Sequence, residues 1–327
     1  MLIGRKLLWF SAVGLLSCAS LSTTLPEIAE LNVTQERRSQ VSTALQNRHD
    51  YLERLATIAK PILTENAEIC PRVRPYYGLT THSATSYSKH IRDDAAQIFD
   101  LTEEPRVLNV IANSPASRAG VQGGDIILGD DGAPLTASAM RKQETADNGA
   151  SVIRVKRGDD ILSLTVETLP ACDYVLQLRS SDAVNAYATG RAIIVTTGMM
   201  DFTARDEELA AIIGHELAHN TLGHIRKITT NLLVTGFATR YTRGFESEAD
   251  YVGLYYAVRA GYDMQGVEDI WRRIGTRHPR NIGRAKTHPT TPDRFLRLKA
   301  AYDEIQSKRD VGEALIPNFK SSESSKP

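Results

Sequence analysis

The sequence has no uncharged apolar run of the roughly 18 to 20 residues that a membrane-spanning helix needs, which predicts a chain that is soluble or anchored, not threaded. It has no surplus of either charge: 39 Lys and Arg stand against 39 Asp and Glu. Without a basic excess to neutralise a phosphate backbone, no nucleic-acid partner is expected. Cysteine is scarce, at 3 in 327 residues. What is present is globular composition, 42% hydrophobic and 24% charged, with enough length for two ordinary domains and no room for long disorder.

Arg5 and Lys6 precede residues 7–16 (LLWFSAVGLL), a positive segment followed by an apolar one. Small residues come next, and residues 1–20 therefore read as an export signal. Leu15-Leu16-Ser17-Cys18 resembles a bacterial lipobox, although Leu16 stands where a small residue is usual. Lipidation of Cys18, ordinary cleavage and a retained anchor are the three readings. The first predicts a periplasmic lipoprotein held to the membrane through its lipid. Setting Cys18 aside leaves Cys70 and Cys172, an even pair in a compartment where disulfides persist. A bridge between them and two buried thiols are the alternatives.

Val41, Leu45, Leu52, Leu55 and Ile58 recur at helical spacing, so residues 34–60 read as an amphipathic helix ended by Pro61. Residues 85–172 alternate apolar and polar positions between Gly and Asp turns, as a separate β-rich module does. Its stretch SPASRAGVQGGDIIL (residues 114–128), with the strand pair around Gly158, resembles a PDZ domain of the bacterial protease-associated type. Such a domain adds a peptide beside an exposed sheet edge. The carboxylate-binding loop is not assignable, because Gly78-Leu79 lies upstream; peptide binding and a purely structural role both stand. Cys70 and Cys172 flank the module, so a bridge would staple the base of an insertion. Strands are expected at residues 174–178 and 191–197, and helix from residue 203 nearly to residue 306.

Residues 204–220 (ARDEELAAIIGHELAHN) open with acids and continue apolar, as a buried helix with a favourable dipole end does. Within them lies His215-Glu216-Leu217-Ala218-His219. Two imidazoles four apart share one helical face and can reach one Zn²⁺, and the glutamate between them is placed to serve as base. A third ligand is required. Leu222 and Ile225 occupy the positions where the metzincin pattern has glycine and histidine, which excludes that class. His224 is off register and is expected to be a polar residue on the continuing helix. A carboxylate from a second helix is the other solution, and residues 241–260 offer one.

Glu246-Ser247-Glu248-Ala249-Asp250 completes a pattern, H-E-x-x-H followed by E-x-x-x-D. It resembles the gluzincin family that includes CAAX prenyl proteases, HtpX-like proteases and periplasmic outer-membrane-assembly proteases. The resemblance implies one Zn²⁺ per chain held by His215, His219 and Glu246, with Glu216 as catalytic base. Asp250 would hydrogen-bond a ligand histidine; the alternative for it is a plain salt bridge, with Arg243 as partner. Helix geometry turns Glu248 about 200° from Glu246, toward solvent. The family's histidine-proline, with arginine six residues on, maps to His288, Pro289 and Arg294, both His288 and Arg294 facing the active site as catalytic residues, His288 to stabilise the oxyanion or to occupy the metal's open position and Arg294 to anchor a carboxylate. Thr291 is expected to cap a helix with Pro292 at its first position. His278 with Arg284 has the same spacing, but its surroundings do not match. Residues 228–239 fit a lid, a membrane-touching loop or packed helix alike.

The expectation is an α+β chain: a mostly helical zincin-like metallopeptidase domain with a small sheet, plus an inserted β-rich PDZ-like domain. Its parts would be the signal (1–20), an N-terminal helical part (30–80), the PDZ-like module (85–172), the metallopeptidase domain (173–308) and a flexible tail (309–327). Expected activity is zinc-dependent endoproteolysis of envelope proteins, with substrate backbone pairing to residues 191–197 as an edge strand. The rival reading is a peptide-binding or chaperone-like scaffold with a silenced zinc site.

Overall fold

The structure is a computed structural model and describes residues 23–140, 149–235, 239–277, 279–282 and 290–319. The export signal with Cys18, and both His278 and His288, lie outside the described residues. The chain divides into residues 1–40 and residues 41–327. In the first unit every described residue is exposed. The fold mixes helix with small sheets, and among the described residues no helix is long and apolar enough to cross a membrane.

Helix α1 (Glu30–Thr64) buries Leu45, Leu55 and Ile58. It does not stop at Pro61. Ile62 and Leu63, both buried, carry the helix a further turn, because burying two aliphatic side chains at about 1.5–3 kcal/mol each outweighs one missing backbone bond. Strand β1 (Val73–Tyr76) follows, then β2 (Leu79–His82), α2 (Arg92–Phe99), β3 (Arg106–Val110), the single turn α3 (Pro115–Arg118), β4 (Ile126–Leu128) and α4 (Ala137–Met140). The hairpin of β5 (Ala150–Arg157) and β6 (Asp160–Glu167) completes a small core of its own. Tyr77, Val107, Ile127, Ile153, Val155 and Val166 are its centre, so this core takes in residues upstream of 85.

Strand β7 (Leu169–Cys172) returns antiparallel to β1, pairing Val73 with Cys172 and Tyr76 with Leu169. Cys70 and Cys172 form a disulfide with their Cα atoms 5.5 Å apart. Ribbon and disulfide together make a neck through which the β-rich segment leaves and rejoins the helical part.

Strand β8 (Val175–Arg179), β9 (Ala186–Ala188) and β10 (Ala192–Thr196) form a three-stranded sheet in the order β8-β10-β9. The strand expected at the edge is the middle one: β10 is parallel to β8 and antiparallel to β9. Its run of Ala192, Ile193, Val195 and Thr196 is buried, which suits a central strand, and the outer strands are β8 and the short segment Ala186–Ala188.

The remaining helices are α5 (Thr197–Phe202), α6 (Asp206–Thr221), α7 (His224–Thr235), α8 (Thr239–Arg259), α9 (Asp269–Arg277) and α10 (Thr291–Asp310). Residues 228–235 are thus helical, within α7, and 236–238 lie outside the described residues. Helix α6 is the buried centre, with Leu209, Ile213 and Leu217 fully enclosed. Its acidic first turn is bolted to α9: Arg273 donates to both oxygens of buried Glu208, at 2.8 and 3.0 Å. The α10 cap is Thr290, whose hydroxyl accepts from the Asp293 amide at 3.3 Å. Thr291, expected as the cap, stands one residue inside the helix against Gly275 of α9. Residues 309–319, expected in the tail, are held in place: the buried Lys308 ammonium donates to the Ile316 carbonyl at 2.7 Å and Asn318 at 2.9 Å. A buried ammonium requires such acceptors.

Candidate metal centre

Helices α6 and α8 cross where each has a glycine. A Cβ added to Gly214 would lie 2.4 Å from the Gly253 carbonyl oxygen, and one on Gly253 would lie 2.5 Å from the His215 amide nitrogen. Backbone therefore meets backbone one residue before His215. That approach brings Glu246, on the preceding turns of α8, over the imidazole face of α6.

His215 Nε2 and His219 Nε2 are 3.1 Å apart. Glu246 Oε2 lies 3.5 Å from the first and Oε1 lies 3.4 Å from the second. Ligand atoms about 2.0–2.1 Å from a tetrahedral Zn²⁺ stand about 3.3–3.4 Å from one another, and the pairwise spacings here fall near that value, with the carboxylate facing each ring through a different oxygen. Two imidazole nitrogens and a carboxylate oxygen are also the donor types of that ion. All three residues are buried, and among the described residues they are the one cluster of this kind. Glu216 is buried beside His215 on α6.

Asp250 lies one turn beyond Glu246. Its Oδ1 is 2.9 Å from His215 Nδ1, which donates to it. Arg294, in the first turn of α10, donates to both Asp250 oxygens, from Nε at 2.7 Å and from Nη2 at 2.6 Å. The guanidinium lies 3.3 Å over the Trp271 ring, and Nη1 is 3.8 Å from Glu246. Arg294 thus anchors this carboxylate, and Arg243, the other candidate partner, is exposed. Burial alone would raise the Asp250 pKa, but Arg294 and His215 outweigh it and hold the carboxyl below its usual range. Burial likewise opposes charge on His215, and hydrogen bonds to Asp250 and Glu246 overcome it, pushing the ring up to about 9.

The other histidine is also backed. Gly223, with φ +67, ends α6 and turns the chain so that α7 starts at His224. His224 is fully buried instead of lying on a solvated continuation, and its Nδ1 is 3.1 Å from His219 Nδ1. Its Nε2 is 3.0 Å from Glu248 Oε2, so Glu248, expected as a plain surface residue, has a partner. Burial lowers the His224 pKa, with Glu248 opposing that effect. A histidine five residues after His219 was the available sequence signal. At the far end of α6, Asn220 accepts from the Gly190 amide at 2.6 Å and donates to the Ala192 carbonyl at 3.0 Å, tying the β9–β10 turn to the helix.

Fold and site together define a helical metal-binding domain with two histidines on one helix and a glutamate on the next. The family model of Peptidase family M48 matches residues 161–235 and 227–302, the stretch that carries the two histidines and the glutamate. The mitochondrial metalloendopeptidase OMA1 of Arabidopsis thaliana is 29% identical over 215 residues, 56% of this chain and 44% of that protein. OMA1 of Schizosaccharomyces pombe is 23% identical over 151 residues, 38% of this chain and 45% of its own. The chain therefore spans under half the length of these relatives. A crystal structure of the HtrA3 PDZ domain bound to a phage-derived ligand is 24% identical, covers 30% of this chain and 89% of that one, and has a TM-score of 0.23.

Proposed function

We propose that the chain is a zinc-dependent metalloendopeptidase. The observation that carries this reading is the buried cluster of His215, His219 and Glu246, each offering one ligand atom within reach of a single ion, with Glu216 buried next to His215 on the same helix and not needed as a ligand. Bound zinc supplies Lewis acidity toward a peptide carbonyl and makes water easier to deprotonate. Glu216 takes the proton of the attacking water and delivers it to the leaving amine. Asp250 holds the His215 ring with its Nδ1 proton outward, leaving Nε2 as a donor, and Arg294 keeps Asp250 ionised and in place. Arg294 is accordingly a positioning residue. His288 remains the candidate for stabilising the oxyanion.

Substrate backbone would pair with β9, the edge strand whose turn is tied to α6 through Asn220. The β-rich segment would present peptide to the site as a PDZ-like module. In support, Gly78-Leu79 opens β2 directly, and a cavity of about 60 Å³ there is lined by Tyr77, Gly78, Leu79, Ala137 and Met140. Substrates would be envelope proteins, a reading that rests on the family resemblance; export and a lipid anchor at Cys18 rest on residues 1–20 alone.

The test is metal analysis together with cleavage of a denatured, casein-type protein. Wild type is expected to carry one zinc per chain and to cleave. Glu216→Gln is expected to retain the zinc and lose at least about 100-fold in rate. Equal cleavage by both forms would overturn the assignment and favour the scaffold reading.

A further inference from the structure

The hydrogen-bond chain behind His219 has a direction. Glu248 is a carboxylate and only accepts, so at 3.0 Å the proton lies on His224 Nε2. A neutral His224 then has a bare Nδ1. At 3.1 Å from it, His219 Nδ1 must be the donor, which leaves His219 Nε2 with its lone pair toward Glu246 and His215 Nε2. Each step admits one proton, and the carboxylate at the far end decides where each one sits. His215 receives the same instruction directly, from Asp250.

We propose that His224 and Glu248 are positioning residues that set the tautomer and ring plane of His219 for metal binding. The inference deepens the metallopeptidase reading and rests on it. Helix α8 would then serve both histidines of α6: Glu246 faces the metal point, Asp250 holds His215, and Glu248 holds His219 through His224. Glu248 is two residues from Glu246 and points about 200° away around the helix. It could not reach His219 itself. Gly223 supplies the missing link by bringing His224 into the gap, and Phe245 fixes that ring by stacking on it at a centroid distance of 4.6 Å and 23°. A buried histidine touching a ligand histidine needs a partner at both nitrogens, and here both partners are identified.

The test is the zinc dissociation constant of the full chain, measured by chelator competition, with the ligand-field spectrum of the Co²⁺-substituted protein as a second readout. His224→Phe retains the stacking surface and removes the acceptor. It is expected to weaken zinc binding by about 10–100-fold and to alter the Co²⁺ bands, with the melting temperature of the zinc-free chain unchanged. Glu248→Ala, at a side chain 46% exposed and so safe for folding, is expected to weaken zinc in the same direction by less. Glu248→Gln, which retains an acceptor oxygen, should restore most of the affinity. If His224→Phe does not fold, the Glu248 pair decides. Wild-type zinc affinity in His224→Phe, or in Glu248→Ala, overturns this inference alone. A wild-type chain that binds no zinc overturns the metallopeptidase reading and this inference with it.

Discussion

Gly214 and Gly253 touch through their backbones, and a methyl group on either would lie within 2.5 Å of the opposing main chain. No side-chain rearrangement relieves such an overlap, because the atoms met are carbonyl oxygen and amide nitrogen. Gly253→Ala is therefore expected to force α6 and α8 apart, at a cost of about 1–3 kcal/mol in stability. Separation also moves Glu246 away from the two imidazoles. Zinc content should fall further than the melting temperature alone would predict, measured by metal analysis of the folded fraction.

His288 and His278 can be told apart by kinetics. His288→Ala is expected to lower kcat with KM retained, by roughly 100-fold as for loss of one oxyanion donor. His278→Ala should leave both constants unchanged. The reverse pattern would assign the role to the histidine that precedes Arg284.

A pH dependence of stability is expected from His82. Burial pushes its pKa down to about 4, helped by the neighbouring charges of His49 and Arg106. The folded ring also shares a hydrogen bond of 2.8 Å with the Tyr87 hydroxyl. Between an ordinary histidine value of about 6.5 and the folded value of about 4, the unfolded chain takes up a proton that the folded chain refuses. The His82 contribution to stability should thus be complete above the upper limit and fall as pH drops through that window. Urea midpoints measured across it should show the slope, and His82→Phe should flatten it.

Much of the candidate site was legible because its spacing obeys one helical period. His215 and His219 share a face by being four apart, and Glu246 and Asp250 repeat that relation on α8, so one turn of helix explains four positions. Where tertiary packing decided the outcome, the sequence was silent or misleading. The three-residue strand β9 is too short to show alternation, and its existence made β10 a central strand. Pro61 signals an end to α1 that the burial of Ile62 and Leu63 overrides. His224 is unreadable without the turn at Gly223, since on a continuous helix it would point elsewhere. The β2 loop at Gly78 was hidden by distance along the chain, because its neighbours Ser114 and Ile111 come from beyond β3.

The disulfide and the β1–β7 ribbon bring residues 70 and 172 to a Cα separation of 5.5 Å. The two ends of a segment of about a hundred residues are therefore as near as those of an ordinary tight turn. Geometrically, the host helices see the whole segment as one surface loop. Acquiring, exchanging or discarding it during evolution would demand little adjustment of the ligand-bearing helices, and the covalent clasp keeps thermal motion of the appendage from pulling on them.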